Sequence, residues 1–319
     1  MRRWILLALK LGISAGLLYW AFRSVDIGAV AAHLGRLDAA WVAAALAALL
    51  LQIAVAGQRW AWIATMLGAP LSAGRAIRYT FAATFLNQAL PSTVGGDALR
   101  VWLLGRADRQ WKHAFYSVFV DRAAGVGFLA VVVAACLPWS LGMIAAHEGR
   151  AAVMIIGLGG VAGLVIGVAL GFVAPGRRLG GWRAARLLFE IGAAARSALL
   201  DRSRGLSIAL LSVFIHLLSV AAAWCLARAI AVSPNPLSLL ILIPPVMLIS
   251  MIPISIGGWG IRESAMVVAF GYAGIEASQA LTVSVLLGAT TLAIGIAGGV
   301  IWLAERHPRR AAAGAQPHG

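Results

Sequence analysis

The sequence predicts an all-α polytopic membrane protein, and three observations predict it. Of the 319 residues, 61% are hydrophobic and only 12% are charged, against about 25% charged in globular chains. The apolar residues gather in runs of the length, about 20 residues, that crosses a hydrocarbon core as a helix. No polar stretch between those runs is long enough for a soluble domain, which excludes a soluble catalytic unit.

The net charge of +15 comes almost wholly from arginine, since Lys10 and Lys112 are the only lysines. These arginines sit in short loops beside apolar runs, where they act as topology signals rather than as a nucleic-acid surface. Cys136 and Cys225 lie in separate apolar runs without metal-ligand spacing and carry no redox or metal signal.

Residues 4–22 form the first expected span, and Arg2 and Arg3 before it place the N-terminus in the cytoplasm. The length of the run favours an uncleaved span over a signal peptide. The second span is expected over residues 39–56, with Gln58, Arg59 and Trp60 marking its cytoplasmic end as interfacial anchors. The third covers 113–137 and the fourth 151–173, joined by an outer loop holding Pro138, His147, Glu148 and Arg150. In the basic connection 177–204, Trp182, Leu188, Phe189, Leu199 and Leu200 alternate with Arg183, Arg186 and Arg196 at helical spacing. That pattern predicts an amphipathic helix lying on anionic headgroups. The fifth span is 206–231 and the last 277–303, with Glu305, Arg306, Arg309 and Arg310 keeping the C-terminus inside.

Two segments interrupt this series. Pro91-x-x-x-Gly95-Gly96-x-x-x-Arg100 recurs as Pro253-x-x-x-Gly257-Gly258-x-x-x-Arg262. Proline removes a backbone donor and glycine admits unusual dihedrals, so each copy breaks a helix and leaves backbone amides free. The first copy is flanked on both sides by arginine, at Arg75 and Arg78 and at Arg100 and Arg106. Residues 79–99 therefore enter and return on the cytoplasmic side, and the charge pattern requires residues 237–272 to do the same from the opposite face. The expected architecture is six spanning helices plus two re-entrant broken-helix hairpins in an inverted repeat, with halves of about 1–140 and 150–305. One transmembrane domain fills residues 1–305, and 306–319 form a disordered tail. Eight full spans is the alternative, because residues 237–252 are nearly long enough to cross.

Charges inside a bilayer cost about 2.5 to 3.5 kcal/mol each on insertion scales, so those that persist face a cavity or a partner. Three groups qualify: Asp97 with Arg100, Asp121 with Arg122, and Arg262 with Glu263. They predict a central polar cavity in which Arg100, Arg122 and Arg262 bind a phosphate, helped by the amides of Gly95, Gly96, Gly257 and Gly258. The competing reading is a set of structural salt bridges. Asn87 either donates to a headgroup or caps the broken helix. His216, in the fifth span, either carries a proton or is satisfied by a neighbouring helix. Metal-ligand spacings, a nucleophile elbow and a nucleotide-binding loop are all missing, so neither an enzyme, a primary pump nor a cofactor is expected.

Asn87-x-x-x-Pro91-x-x-x-Gly95-Gly96-Asp97-x-x-Arg100, then Val120-Asp121-Arg122, then Pro253-x-x-x-Gly257-Gly258-x-Gly260-x-Arg262-Glu263 together resemble the transmembrane domain family of lysylphosphatidylglycerol synthases, a flippase-like family. The resemblance covers roughly residues 1–305. It implies a lipid flippase or facilitator of the bacterial inner membrane, moving a phosphate-headgroup lipid without ATP hydrolysis, with both termini cytoplasmic. By matching position it implies Asn87, Pro91, Gly95, Gly96, Asp97, Arg100, Asp121, Arg122, Gly257, Gly258, Arg262 and Glu263 as the residues that bind it. Full-length synthases append further spans and an aminoacyl-transfer domain, whereas this chain stops after Gly319, so it is not expected to make the lipid. Stand-alone relatives are associated with hopanoid, polyprenyl-linked sugar and glycolipid pathways, which leaves a phospholipid or a polyprenyl-linked lipid as the implied partner. Two other readings compete with this one. One is an intramembrane lipid-modifying transferase with Asp97 or Glu263 as base. The other is a non-catalytic partner that recruits a lipid-synthesis enzyme through residues 177–204.

Overall fold

A bilayer core offers backbone groups no water, so a chain this apolar satisfies its amides by becoming helical. The computed structural model describes residues 27–89, 95–173, 183–252, 255 and 258–305, together with Gly12, Gly16 and Tyr19. It contains helices α1 (Ile27–Leu34), α2 (Ala39–Met66), α3 (Ala73–Ala89), α4 (Gly95–Asp108), α5 (Trp111–Met143) and α6 (His147–Ala169, continued as a 3-10 turn over Leu170–Phe172). Then follow α7 (Arg183–Leu199), α8 (Gly205–Ala229), α9 (Pro236–Ser250), α10 (Ile261–Gly271) and α11 (Ala277–Glu305). No strand occurs among the described residues.

Five helices are long and apolar enough to cross a membrane: α2, α5, α6, α8 and α11. On α6, Ile155, Leu158, Val165 and Ile166 point outward and are exposed, a surface that suits hydrocarbon rather than water. The protein is a multi-pass membrane protein. Apart from Gly12, Gly16 and Tyr19, the span expected over 4–22 lies outside the described residues, as do Pro91, Pro253, Gly257 and the tail 306–319.

Two expected boundaries are corrected. Helix α2 does not end near Ala56 but runs on to Met66, because Arg59 and Trp60 are buried, at 5% and 0% exposure, rather than anchored at an interface. Pro138 was expected in a loop yet lies inside α5. The helix survives the lost hydrogen bond because Val133 and Leu137 beside it pack against Ile144 and Val153.

Helices α2 and α8 run antiparallel, since Asp38 N, just before α2, donates to Ala229 O at the end of α8 over 3.0 Å. Small residues at their contact, Ala45 against Ala222 and Ala223, let the backbones approach closely. Around this pair the two interrupted segments fold as helical hairpins. Ala76 at the start of α3 and Leu104 near the end of α4 share one apolar cluster with Ala64 on α2 and Ala114 on α5. The chain therefore runs out along α3 and back along α4. Leu239 on α9 and Phe270 on α10 share a cluster with Ala45 and Ala280, at the opposite end of α2. The arms have 17, 14, 15 and 11 residues, or about 16 to 26 Å at 1.5 Å per residue, so none alone crosses a core about 30 Å thick.

The bases of the hairpins lie at opposite ends of the bundle, and the described residues that flank the two interruptions meet in the middle. Asn87 and Asp97 from the first, and Met247 and Met251 from the second, line one cavity. The packing exchanges partners between the halves: α3 lies on α11 and α9 on α5, while α4 lies on α5 and α10 on α11. Swapping α2, α3, α4 and α5 for α8, α9, α10 and α11 maps each of these pairs onto another.

Helix α7 packs Ala194, Ala195 and Ala198 against Ile63, Tyr116 and Ile208 and leaves Leu187 and Leu188 exposed, in keeping with the amphipathic pattern. Glu190 ties it to α5. The Tyr116 hydroxyl donates to its carboxylate, with Lys112 and Arg186 each at 3.1 Å. These contacts, the Tyr116 hydrogen bond foremost, hold the Glu190 carboxyl down at about 2 from an ordinary 4.5. A depressed carboxyl stabilises the docked helix above its ordinary value and loses that contribution as pH falls toward the folded one. Hydrogen exchange over 183–199, corrected for intrinsic rates, should lose protection as pH falls from about 4.5 to about 2, a titration absent in Glu190→Gln.

Close approach also fixes the first hairpin. A Cβ on Gly96 would lie 2.6 Å from Asn87 Oδ1 and still closer to the Ala83 carbonyl, whereas one on Gly163 of α6 would meet nothing within 4 Å. Gly96→Ala should lower the thermal midpoint in detergent by the equivalent of about 1 to 3 kcal/mol. Gly163→Ala should leave it unchanged or raise it by up to about 1 kcal/mol.

Candidate functional site

The cavity lined by Asn87, Asp97, Met247 and Met251 has a volume of about 260 Å³. Its charged lining is a chain of five side chains of alternating sign drawn from three helices. Arg59 Nε on α2 meets Asp121 Oδ1 on α5 at 2.8 Å. The other oxygen of Asp121 takes Arg100 Nη2 of α4 at 2.7 Å. Arg100 Nη1 reaches Asp97, one turn earlier, at 3.4 Å, and both Nε and Nη2 of Arg122 close on Asp97 Oδ2 at 2.8 and 2.7 Å.

Each arginine is held by its setting. Arg59 also donates to Ser212 Oγ at 2.9 Å and to the Asp121 carbonyl at 3.2 Å. Gly125, where a Cβ would stand 3.3 Å from Arg59 Nη2, leaves it room. Arg100 lies over the Trp60 ring at 4.1 Å, and Trp60 in turn donates to Ser117 Oγ; a cation over an indole face gains about 2 kcal/mol when desolvated. Arg100 Nε is buried without a hydrogen-bond partner among the described residues. Arg122 differs, with a side chain 39% exposed.

The remaining expected residues fall into two sets. Gly95 and Gly96 do not form the hairpin tip but open α4, and Gly96 N donates to Asn87 Oδ1 at 2.9 Å. Asn87 thus caps α4 while lining the cavity. His216 also lines the cavity and bonds the Gly125 carbonyl at 2.9 Å, so a neighbouring helix satisfies it. Arg262 and Glu263 do not line the cavity with Arg100 and Arg122; they form a separate buried network. Arg262 Nη2 meets Glu263 Oε1 at 2.7 Å, Ser284 bonds both, and Glu263 Oε2 accepts from Gly260 N at 2.6 Å. A carboxylate at that position caps the free amide of Gly260 and offsets the helix dipole of α10. Gly260 and Gly258, at φ 87° and 79°, supply the left-handed turn before it.

The two arginine motifs diverge at one position. Three residues before Arg100 stands Asp97, whereas three before Arg262 stands Trp259, whose ring lies 4.8 Å from the guanidinium. The first arginine therefore passes its charge to a second carboxylate and on to Arg122, while the second closes on its neighbour. Among the described residues no three His, Cys, Asp or Glu side chains gather as a metal would require.

Residues 7–299 match the family model described as Lysylphosphatidylglycerol synthase TM region. The chain belongs to this family. The match takes in both hairpins and every member of the five-charge chain. No curated protein matches the chain.

Within this lysylphosphatidylglycerol synthase TM member, the sequence reading missed Arg59, Trp60 and Ser212. The signal for Arg59 was available: it is the one charge in the apolar run of α2, the same argument that singled out Asp121. Removing one partner of a buried ion pair leaves the other uncompensated at about 3 to 5 kcal/mol. Asp121→Leu, which strips both Arg59 and Arg100, should lower unfolding stability in detergent by at least that amount. Arg122→Gln, at the half-exposed end, should cost about 1 kcal/mol or less. Equal losses would contradict the difference in burial.

Proposed function

We propose that this protein moves a phosphate-headgroup lipid between the leaflets of a bacterial inner membrane without ATP hydrolysis, as a flippase or facilitator and not as an enzyme. The observation that carries the proposal is the chain Arg59–Asp121–Arg100–Asp97–Arg122 in a cavity where two hairpin tips meet. Burying five charges costs several kcal/mol per ion, and apolar replacements of similar volume are often as stable or more so. A chain that keeps them at the centre of an apolar bundle keeps them for a polar ligand. Membership of a lipid-synthase membrane family points the same way, and guanidinium is the side chain that grips a phosphate in bidentate fashion.

On this reading α3–α4 and α9–α10 are re-entrant hairpins entering from opposite faces, which makes the two halves an inverted repeat around a mid-membrane site. With the span expected over 4–22, the five long helices make six crossings, both termini are cytoplasmic, and α7 rests on the cytoplasmic surface. The antiparallel arms of each hairpin and their opposite bases support this topology. Rocking of one half against the other would open the cavity to each leaflet in turn.

The test is leaflet exchange of fluorescent phosphatidylglycerol in proteoliposomes. The wild-type protein should exchange it, and Arg100→Ala should slow exchange at least about tenfold, the loss of one charge-assisted contact. Arg262→Ala should instead reduce the yield of folded protein, with exchange per folded molecule retained. Full exchange in a folded Arg100→Ala would sink the proposal.

A further inference from the structure

The polar cavity has two kinds of lining. One is the five-charge chain, whose guanidiniums only donate hydrogen bonds, and in which Arg100 Nε is buried without an acceptor among the described residues. The other is uncharged, made by Gln52 of α2, Thr80 and Thr84 of α3, and His216 and Ser219 of α8. Gln52 precedes Arg59 by seven residues, about 10 Å of helix. A Cβ on Gly57 would lie 2.7 Å from Ile77 Cα, and α3 runs back alongside α2 from that contact, which sets Thr80 and Thr84 beside the turn that carries Gln52.

The uncharged lining has its protons committed to its own backbone. Thr80 Oγ1 donates to the Ala76 carbonyl over 2.8 Å, Thr84 Oγ1 to the Thr80 carbonyl over 3.0 Å, and Ser219 Oγ to the Ile215 carbonyl over 3.3 Å. His216 Nε2 faces the Gly125 carbonyl, which only accepts, so Nε2 carries the proton and Nδ1 of the neutral ring is an acceptor. A hydroxyl bonded in this way has lone pairs left to offer. Ser212, one turn before His216, shows what such an oxygen takes: it donates to the Ile208 carbonyl over 2.7 Å and accepts from Arg59 Nη1 over 2.9 Å. Thr65 likewise donates to the Ala61 carbonyl and accepts from Leu71 N. Among the described residues no donor comes to Thr80, Thr84 or Ser219, and the amide of Gln52 has no hydrogen-bond partner.

Resting on the lipid-handling reading above, we infer that the cavity takes a lipid whose headgroup continues beyond its phosphate as a polyol, and that Thr80, Thr84, Ser219 and Gln52 are the residues that select it. The phosphate is the acceptor that Arg100 Nε lacks, and the hydroxyls are the donors that the facing oxygens lack. A choline headgroup has neither N–H nor O–H and leaves those oxygens unpaired in a place with little water, where an unmade hydrogen bond costs the full desolvation of the group. An ammonium is a single point of donation. Thr80 and Thr84 stand one turn apart, about 6 Å, and Ser219 belongs to a different helix, so the acceptors suit a string of hydroxyls better than one nitrogen.

Phosphatidylpropanol isolates the hydroxyls, because it has the phosphodiester, the charge and nearly the shape of phosphatidylglycerol without them. Tritiated dioctanoyl phosphatidylglycerol is bound to the purified full chain in an uncharged detergent and displaced by unlabelled dioctanoyl lipids. Phosphatidylglycerol should displace it at about tenfold lower concentration than phosphatidylpropanol, the worth of one or two hydrogen bonds. In the Thr80→Val, Thr84→Val double variant that ratio should fall to about threefold or less, and Ser219→Ala should lower it independently, each with an unchanged thermal midpoint. Thr290→Val removes a hydroxyl bonded in the same way to the Leu286 carbonyl of α11, outside the cavity, and should keep the full ratio. Equal displacement by the two lipids, or a ratio untouched in both the double variant and Ser219→Ala, would overturn the inference. Stronger displacement by phosphatidylethanolamine would also overturn it, by assigning the oxygens to an ammonium. So would displacement by glycerol 1-phosphate at the concentration that suffices for the lipid, which assigns the site to a soluble polyol phosphate, or the absence of saturable lipid binding to folded protein. Leaflet exchange of the same lipids in proteoliposomes separates the two proposals. A hydroxyl preference in binding without exchange leaves this site standing and removes transport, while exchange of both lipids without preference does the reverse.

Discussion

The structure depends on one carboxylate. Asp121 is buried in α5 and divides its two oxygens between Arg59 of α2 and Arg100 of α4. Three helices that already share an apolar cluster are locked in register by that division. An apolar surface fixes separation but not rotation, because one aliphatic contact is much like the next. A carboxylate that must satisfy two guanidiniums at once admits a single arrangement, and the cavity takes its shape from it.

The second constraint is close approach. One arm of each hairpin lies against a neighbour from the other half of the chain, and glycine allows it on α11, where Gly298 and Gly299 lie against Phe81 and Phe85 of α3. The arms are too short to be held by the bilayer as full spans are. What holds them is protein, and Asn87, Asp97 and Met251, near their inner ends, line a cavity furnished with polar side chains.

Much of this was legible in the sequence. The apolar runs over 206–231 and 277–303 became α8 and α11 within a few residues, because length and hydropathy decide a span without help from tertiary contacts. The interruptions between α3 and α4 and between α9 and α10 were legible from proline and glycine. Two features were misread. Arg59 is the one charge in its apolar run, but beside Trp60 it also has the composition of an interfacial anchor, and what overrides that reading is a carboxylate 62 residues away. Arg262 matched Arg100 in spacing, but matched spacing does not carry matched surroundings: Trp259 in place of Asp97 and Glu263 in place of Val101 turn the second copy inward as a helix cap.

The exchange of partners between the halves bears on how the molecule is made. Helix α3 is among the early segments to leave the ribosome, yet its principal packing surface is on α11, the last helix described. Until that segment is synthesised, the first hairpin lacks its main seat and Arg262 lacks its partner Ser284. Seating of the hairpin is therefore a late, whole-chain event, and a nascent chain interrupted before α11 leaves the outer face of α3 uncovered and Arg262 without Ser284, the kind of state that membrane quality-control proteases recognise.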